Sequence, residues 1–176
     1  MMGKVIAIVL GICALVAGVS MYYLQVYGFY EDVTPQPGMD VVLTPLDGAD
    51  PRPISYDAFQ AIDAESSPIR YRACFTTDMT PQDLASEFAT SDLIVPRNAP
   101  GWFDCFDAAA IGAALKDGSA KAFLSVKNIS YGVDRIVAID AGGRGFVWHE
   151  LNNCGEQIYN GSAIVTEACP PRPDSE

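Results

Sequence analysis

Twenty-two acidic residues against eleven basic ones give this 176-residue chain a net charge of −11. Such a surface repels phosphate backbones and anionic headgroups, which argues against a nucleic-acid partner. The length leaves room for one domain of ordinary size beside a short appended segment.

That segment comes first. From Val5 to Tyr30 there is no Lys, Arg, Asp, Glu or His, and Val5 to Val19 is apolar without a break. A helix rises about 1.5 Å per residue, and about 20 apolar residues cross the hydrocarbon core of a bilayer. The run from Val5 to Tyr27 is therefore long enough to anchor the chain in membrane lipid. Tyr22, Tyr23, Tyr27, Phe29 and Tyr30 at its outer end are the amphipathic aromatics that favour a membrane–water interface. Lys4 precedes the run, and Glu31 and Asp32 follow it. This bias predicts a cytoplasmic amino terminus, with the rest of the chain outside an inner membrane. A cleaved signal peptide is the competing reading. Val16-Ala17-Gly18 and Ala17-Gly18-Val19 are passable but not good cleavage sites, and the apolar run continues past them, which favours an uncleaved anchor. A lipoprotein site at Cys13 is disfavoured by the bulky Ile12 and by its early position in the run. Ala7, Gly11, Ala14 and Gly18 share one helix face, where small residues let a second helix approach closely. The expected occupant is another membrane protein or a second copy of this chain.

Next comes a proline-rich stretch, with Pro35, Pro37, Pro45, Pro51 and Pro53. Residues 31–53 read as a stalk or linker, with a short edge strand over Asp40–Thr44 around Val41, Val42 and Leu43. Ser55 to Asp63 reads as a short helix capped by Ser55, with Ala58, Phe59 and Ile62 on its apolar side. In Pro68–Thr77, Ile69, Tyr71, Ala73 and Phe75 alternate with Arg70, Arg72, Cys74 and Thr76, which predicts a half-buried strand. Thr80, Pro81 and Asp83 spell the start of a helix, with Met79 folding over Leu84 and Leu84 and Phe88 facing inward. A second helix is expected over 105–117, capped by Asp104 and ended by Gly118, with Ala108, Ile111 and Leu115 as its buried stripe. Alternation over 121–127 and the short apolar runs 135–140 and 146–151 predict strands, the last two joined by a turn through Ala141–Gly145. A further hairpin is expected at Asn160-Gly161, before a flexible tail over 170–176. The whole reads as an anchor over 1–30 and one exported α+β domain over 54–169, an antiparallel sheet with two or three helices on one face.

Four cysteines follow the anchor: Cys74, Cys105, Cys154 and Cys169. An even number in an exported domain suggests two disulfides, and chain order favours Cys74–Cys105 with Cys154–Cys169 among the three pairings. None of them stands as C-x-x-C, so neither a thioredoxin-like site nor zinc is suggested. His149, the one histidine, should share a strand face with Val147 and Leu151 in a structural role. Asp140, Glu150 and Glu156 have no spacing that fixes a carboxylate pair. The glycines around Arg144 precede a strand and form a turn, not a phosphate loop. Asn128-Ile129-Ser130 and Asn160-Gly161-Ser162 match a glycosylation pattern that recurs by chance. Trp102 and Phe103 sit on a loop beside Cys105; exposed they would form a binding anchor, and buried they would cover the disulfide. No catalytic set and no cofactor is indicated.

The stretches YRACF (71–75), GWFDCF (101–106) and VWHELNNCGEQIYNG (147–161), with the amino-terminal anchor, resemble a bacterial family of small single-pass envelope proteins without an assigned function. Members of such families sometimes carry the label histidine kinase, which one strand-borne histidine and the lack of an ATP-binding motif contradict. The resemblance implies a place in the envelope and supplies no catalytic residues. A non-catalytic accessory or assembly subunit of a membrane complex is the first expectation. A sensory or ligand-binding module, with a pocket between the sheet and the Trp102 loop, is the second. A thiol–disulfide enzyme is the third.

Overall fold

A computed structural model describes residues 2–93, 95–160 and 169–171, the side chains of 157–160 excepted. The chain opens with α1 (Met2–Tyr23), continued by a π-helical turn, Leu24–Gly28. Together these make one apolar helix of 27 residues, long enough to cross a membrane, whose most apolar stretch is not buried in the protein.

The folded body is built on a six-stranded sheet. Its strands are β1 (Glu31–Asp32), β4 (Asp57–Asp63), β5 (Arg72–Thr76), β6 (Ala120–Ser130), β7 (Val133–Asp140) and β8 (Arg144–Leu151). They lie in the order β1-β4-β5-β8-β7-β6, each paired antiparallel with its neighbour. Two short strands, β2 (Val42–Leu43) and β3 (Arg52–Pro53), pair separately. With α2 (Pro81–Glu87), α3 (Ala108–Asp117) and α4 (Asn153–Asn160), the architecture is the expected α+β one.

The central strands are buried on both faces, because successive side chains point to opposite sides. Ala73, Phe75, Val137, Ile139 and Val147 meet Val41, Leu43 and Ile54, with Leu84 and Phe88 at α2, on one face. Cys74, Ile136, Ala138 and Trp148 meet Phe103, Phe106 and Ile111 of α3 on the other. The helices thus divide between the two faces instead of sharing one. The stretch read as a stalk supplies part of this core, since Val41 and Leu43 are fully buried and Glu31–Asp32 pairs with Asp63–Ile62.

Two further expectations need correcting. Residues 57–63 form β4 and not a helix. Alternation of Ala61 and Ile62 between the two cores, and pairing with β5, outweigh the weak helix tendency of a segment too short to hold alone. The helix expected from 105 starts at Ala108, and its cap is Asp107, whose Oδ1 accepts from the amides of Ala109 and Ala110 at 3.0 Å. Asp104 cannot cap it, because Cys105 is tied to Cys74 and Phe106 turns into the core. By contrast, α2 starts as spelled: the Thr80 hydroxyl accepts from Asp83 N at 3.2 Å, and Pro81 follows. Gly118 ends α3 at φ 82°. The run leading to Asn160 is helix α4, not a strand, and residues 161–168 and 172–176 lie outside the described ones.

Candidate functional site at the helix–domain junction

Arg72 organises the loop that meets the amino-terminal helix. It lies on β5, only 3% exposed, with its guanidinium over the Phe106 ring. Nε donates to Arg97 O at 2.9 Å and Nη2 to Asn98 O at 3.1 Å, while Nη1 donates to Ile69 O and Tyr71 O at 2.9 and 2.7 Å. A buried charge must be satisfied by such bonds, and desolvation pulls its pKa down to about 10. Four carbonyls from two segments are thereby held on one side chain. Arg97 is fixed further by Glu150, whose Oε1 accepts from Arg97 Nε at 3.0 Å. The Cys74–Cys105 disulfide, with Cα atoms 6.2 Å apart, pins the far end of the same loop to β5.

This frame presents Trp102. Its indole Nε1–H donates to Val26 O at 2.7 Å, across 76 residues of sequence. The ring stacks on Tyr27 at 6.0 Å and meets Tyr30 edge-on at 6.0 Å. Tyr23 stacks on Tyr27, and the Arg70 guanidinium lies over Tyr30 at 5.6 Å. The chemistry follows from the helix end. The last carbonyls of a helix have no partner within it, and a π turn is a poor place to find one. An aromatic ring with one N–H covers the apolar end and satisfies a carbonyl at once. Trp102 is half-buried, between the two readings of its loop, while Phe103 is buried beneath it.

Two clefts flank the junction. One, of about 340 Å³, is lined by Glu31, Asp32, Asp63 and Glu65 below the helix end. The other, of about 370 Å³, runs between the Trp102 loop and the edge of β4, bordered by Asp32, Pro35, Phe59, Gln60, Trp102 and Asp104. This is the region where a pocket beside the Trp102 loop was expected.

The remaining singled-out residues lie elsewhere. Ala7, Gly11, Ala14 and Gly18 are exposed along α1, with nothing within 4 Å of a side chain added at Gly11 or Gly18. Cys154 and Cys169 are bonded, with Cα atoms 5.7 Å apart. Asp140 closes the β7–β8 turn by accepting from Gly142 N, Arg144 N and Arg144 Nε. Gly143, at φ 77°, sits where any side chain would strike Thr77 O. Asp140 and Glu150 stand at opposite ends of this hairpin, and Glu156 is exposed. Among the described residues no group of three or more His, Cys, Asp or Glu is placed to hold a metal.

His149 is buried and stacked on Tyr71 at 4.8 Å. Its Nδ1–H donates to Pro68 O at 2.6 Å, which leaves Nε2 to accept from Arg135 Nε at 3.0 Å. Burial, and then the Arg135 charge, push its pKa from 6.5 down to about 4. Burial raises the Tyr71 hydroxyl to about 12. The imidazole is thus a neutral link between two strands and a loop.

A small α+β domain carried on an apolar amino-terminal helix and stapled by two disulfides is the class these features define. The chain belongs to a family of unknown function (DUF6446), whose model matches residues 41–170. The match opens at Val41, where the fully buried core begins. It agrees with the resemblance drawn from the YRACF, GWFDCF and VWHELNNCGEQIYNG stretches. No curated protein and no solved structure matches the chain.

Sequence reasoning missed two features. Arg72 read as one more polar residue of an alternating strand, and only the loop folded over it reveals a hub. Asn152 was passed over as well. Its Nδ2 donates to Asp134 Oδ1 and Asn128 Oδ1 at 2.7 and 2.8 Å, and its Oδ1 caps α4 by accepting from Cys154 N and Gly155 N. The Asn-Asn-Cys-Gly run ahead of a helix was the available signal.

Proposed function

We propose that the chain is a single-pass protein of the inner membrane, its amino terminus cytoplasmic and its domain on the outer side, acting as a non-catalytic accessory or assembly subunit of a membrane complex. The contact of Trp102 with Val26, Tyr27 and Tyr30 carries this reading. A domain that serves only as a tethered enzyme or receptor gains little from being seated on its own anchor. A subunit that must present one surface at a fixed height and angle above the bilayer gains a great deal. The same contact favours an uncleaved helix, since processing at the Gly18 region would remove the support of the residues Trp102 grips. The two disulfides fit an oxidising compartment.

The test is purification of the tagged full-length protein from its native membrane in mild detergent, beside Gly11→Leu/Gly18→Leu. A defined set of proteins is expected with the first and its loss with the second. Absence of any stable companion from the unaltered protein sinks the reading.

A further inference from the structure

Both faces of the sheet are covered, so contact with another protein through the sheet falls to its edges. At one end, β6 is already capped. Thr44 N donates to Leu124 O, Leu124 N to Ala89 O and Ser91 N to Ala122 O, each at 2.9 Å, and Thr90 bridges Phe123. At the other end, β1 covers β4 only briefly. It pairs Glu31 with Asp63 and Asp32 with Ile62, and one further bond runs from Val33 N to Ala61 O at 2.9 Å. The chain then leaves through Pro35. Among the described residues no strand or bridge is laid along the outer side of Ala58–Gln60, and these residues are exposed or half-exposed.

The groove of about 370 Å³ lies over this open edge, between the departing chain at Pro35 and the Trp102 loop. Its charge is of one sign: Asp32 and Asp104 border it, both exposed, and no Lys or Arg does. Phe59 and Trp102 supply apolar and aromatic surface, on which aliphatic stems and cationic heads both rest favourably. A register shift between Asp57 and Gln60, with Ala58 at φ 51°, limits the edge to a few residues. Open-ended strand stacking is thereby discouraged, while a short docked segment is not.

We infer that this groove takes an extended, positively charged segment of a partner protein, added as a short strand beside Ala58–Gln60. Main-chain hydrogen bonds to the β4 edge give the affinity, and contacts of alternate basic side chains with Asp32 and Asp104 give the selectivity. This rests on the accessory-subunit reading and names the chemistry of the partner.

The probe is a labelled, end-blocked octapeptide of alternating Lys and Val, followed by fluorescence anisotropy with the full-length protein in mild detergent at about 150 mM salt. Two peptides accompany it: one N-methylated at every second residue, which keeps charge and shape but cannot pair, and one with Glu in place of Lys. The Lys–Val peptide is expected to bind, and N-methylation to weaken it at least about tenfold. Asp32→Asn with Asp104→Asn should weaken it about tenfold, while Asp50→Asn with Glu87→Gln, an equal change of charge away from the groove, should cost less than about twofold. No binding, equal affinity of the N-methylated peptide, or equal effects of the two variant pairs overturns the proposal. So does peptide-free dimerisation, seen by light scattering, that the Asp32/Asp104 pair abolishes, because it gives the edge to a second copy. If companions co-purify from membranes but the peptide does not bind, only the edge assignment falls. If the peptide binds and nothing co-purifies, the groove stands and the assembly role falls.

Discussion

His149 makes the domain acid-sensitive in a defined window. Its pKa is depressed on folding, so the unfolded chain takes up a proton before the native one does. The stability it contributes is complete above about 6.5, falls as the pH drops, and is fully lost below about 4. A shift of this size corresponds to about 3 kcal/mol for a buried group. Urea unfolding of the wild type at pH 7 and pH 4 should show that loss beyond what His149→Gln shows, and parallel behaviour of the two proteins would remove the histidine from the account. Asn152 acts at the same scale. Its side chain answers two backbone donors and two side-chain acceptors, so Asn152→Ala leaves buried groups unpaired and should cost about 2–4 kcal/mol in the same assay. Gly132 and Gly155 explain why that corner admits no larger residue, since a side chain on either would strike the backbone of the other. His149 was legible in the sequence as a strand residue with structural work to do. Its partners were not, because Pro68 and Arg135 reach it only through the fold.

At the scale of elements, legibility followed how local the determinants are. The Thr80-Pro81-Asp83 start of α2 and the Gly118 stop of α3 are settled by residues within one turn, and both were readable. Strand β4 was misread as a helix because Asp57–Asp63 owes its form to β5 and to the two cores, which no local pattern announces. The start of α3 slipped by one turn because Asp104 and Asp107 are equally good caps, and only the tie from Cys105 to Cys74 chooses between them. The Trp102 loop is the element on which the candidate site depends. Opening the disulfide with Cys74→Ser/Cys105→Ser should cost about 2–5 kcal/mol. It should also expose residues 27–30 to limited proteolysis. Trp102→Ala should raise the same cleavage while lowering domain stability by only about 1–2 kcal/mol, because the half-buried ring packs at the margin of the Phe103–Phe106 core and not within it. A large fall in stability with unchanged cleavage would place Trp102 in the core instead.

For the molecule as a whole, the sequence conveyed the layout of an apolar helix, one α+β body and four paired cysteines. It failed on where the body begins, since proline-rich composition concealed that Val41 and Leu43 are core. If the helix is retained as proposed, intact mass spectrometry of protein taken from membranes should return the full 18.9 kDa. A species shortened near Gly18 would identify the segment as a removed leader. Cys74 and Cys154 are both buried, and both bonds are expected to survive mild reductant, as structural disulfides do. Ready reduction of either, read by thiol labelling of the folded protein, would revive the thiol-exchange reading.

The hydrogen bond from Trp102 to Val26 has a rotational consequence. It fixes the phase of the helix against the sheet, so the stripe of Ala7, Gly11, Ala14 and Gly18 points in one compass direction relative to the β4 edge. A partner that packs on the stripe and also reaches the groove reads two bearings at once. One residue inserted after Val19 leaves both surfaces intact but turns the stripe by about 100° beneath the domain, whereas four residues, close to one full turn, nearly restore the alignment. Co-purification that fails with the first insertion and returns with the second would reveal a phase-locked grip. Indifference to both would mean that the two surfaces serve their partners separately.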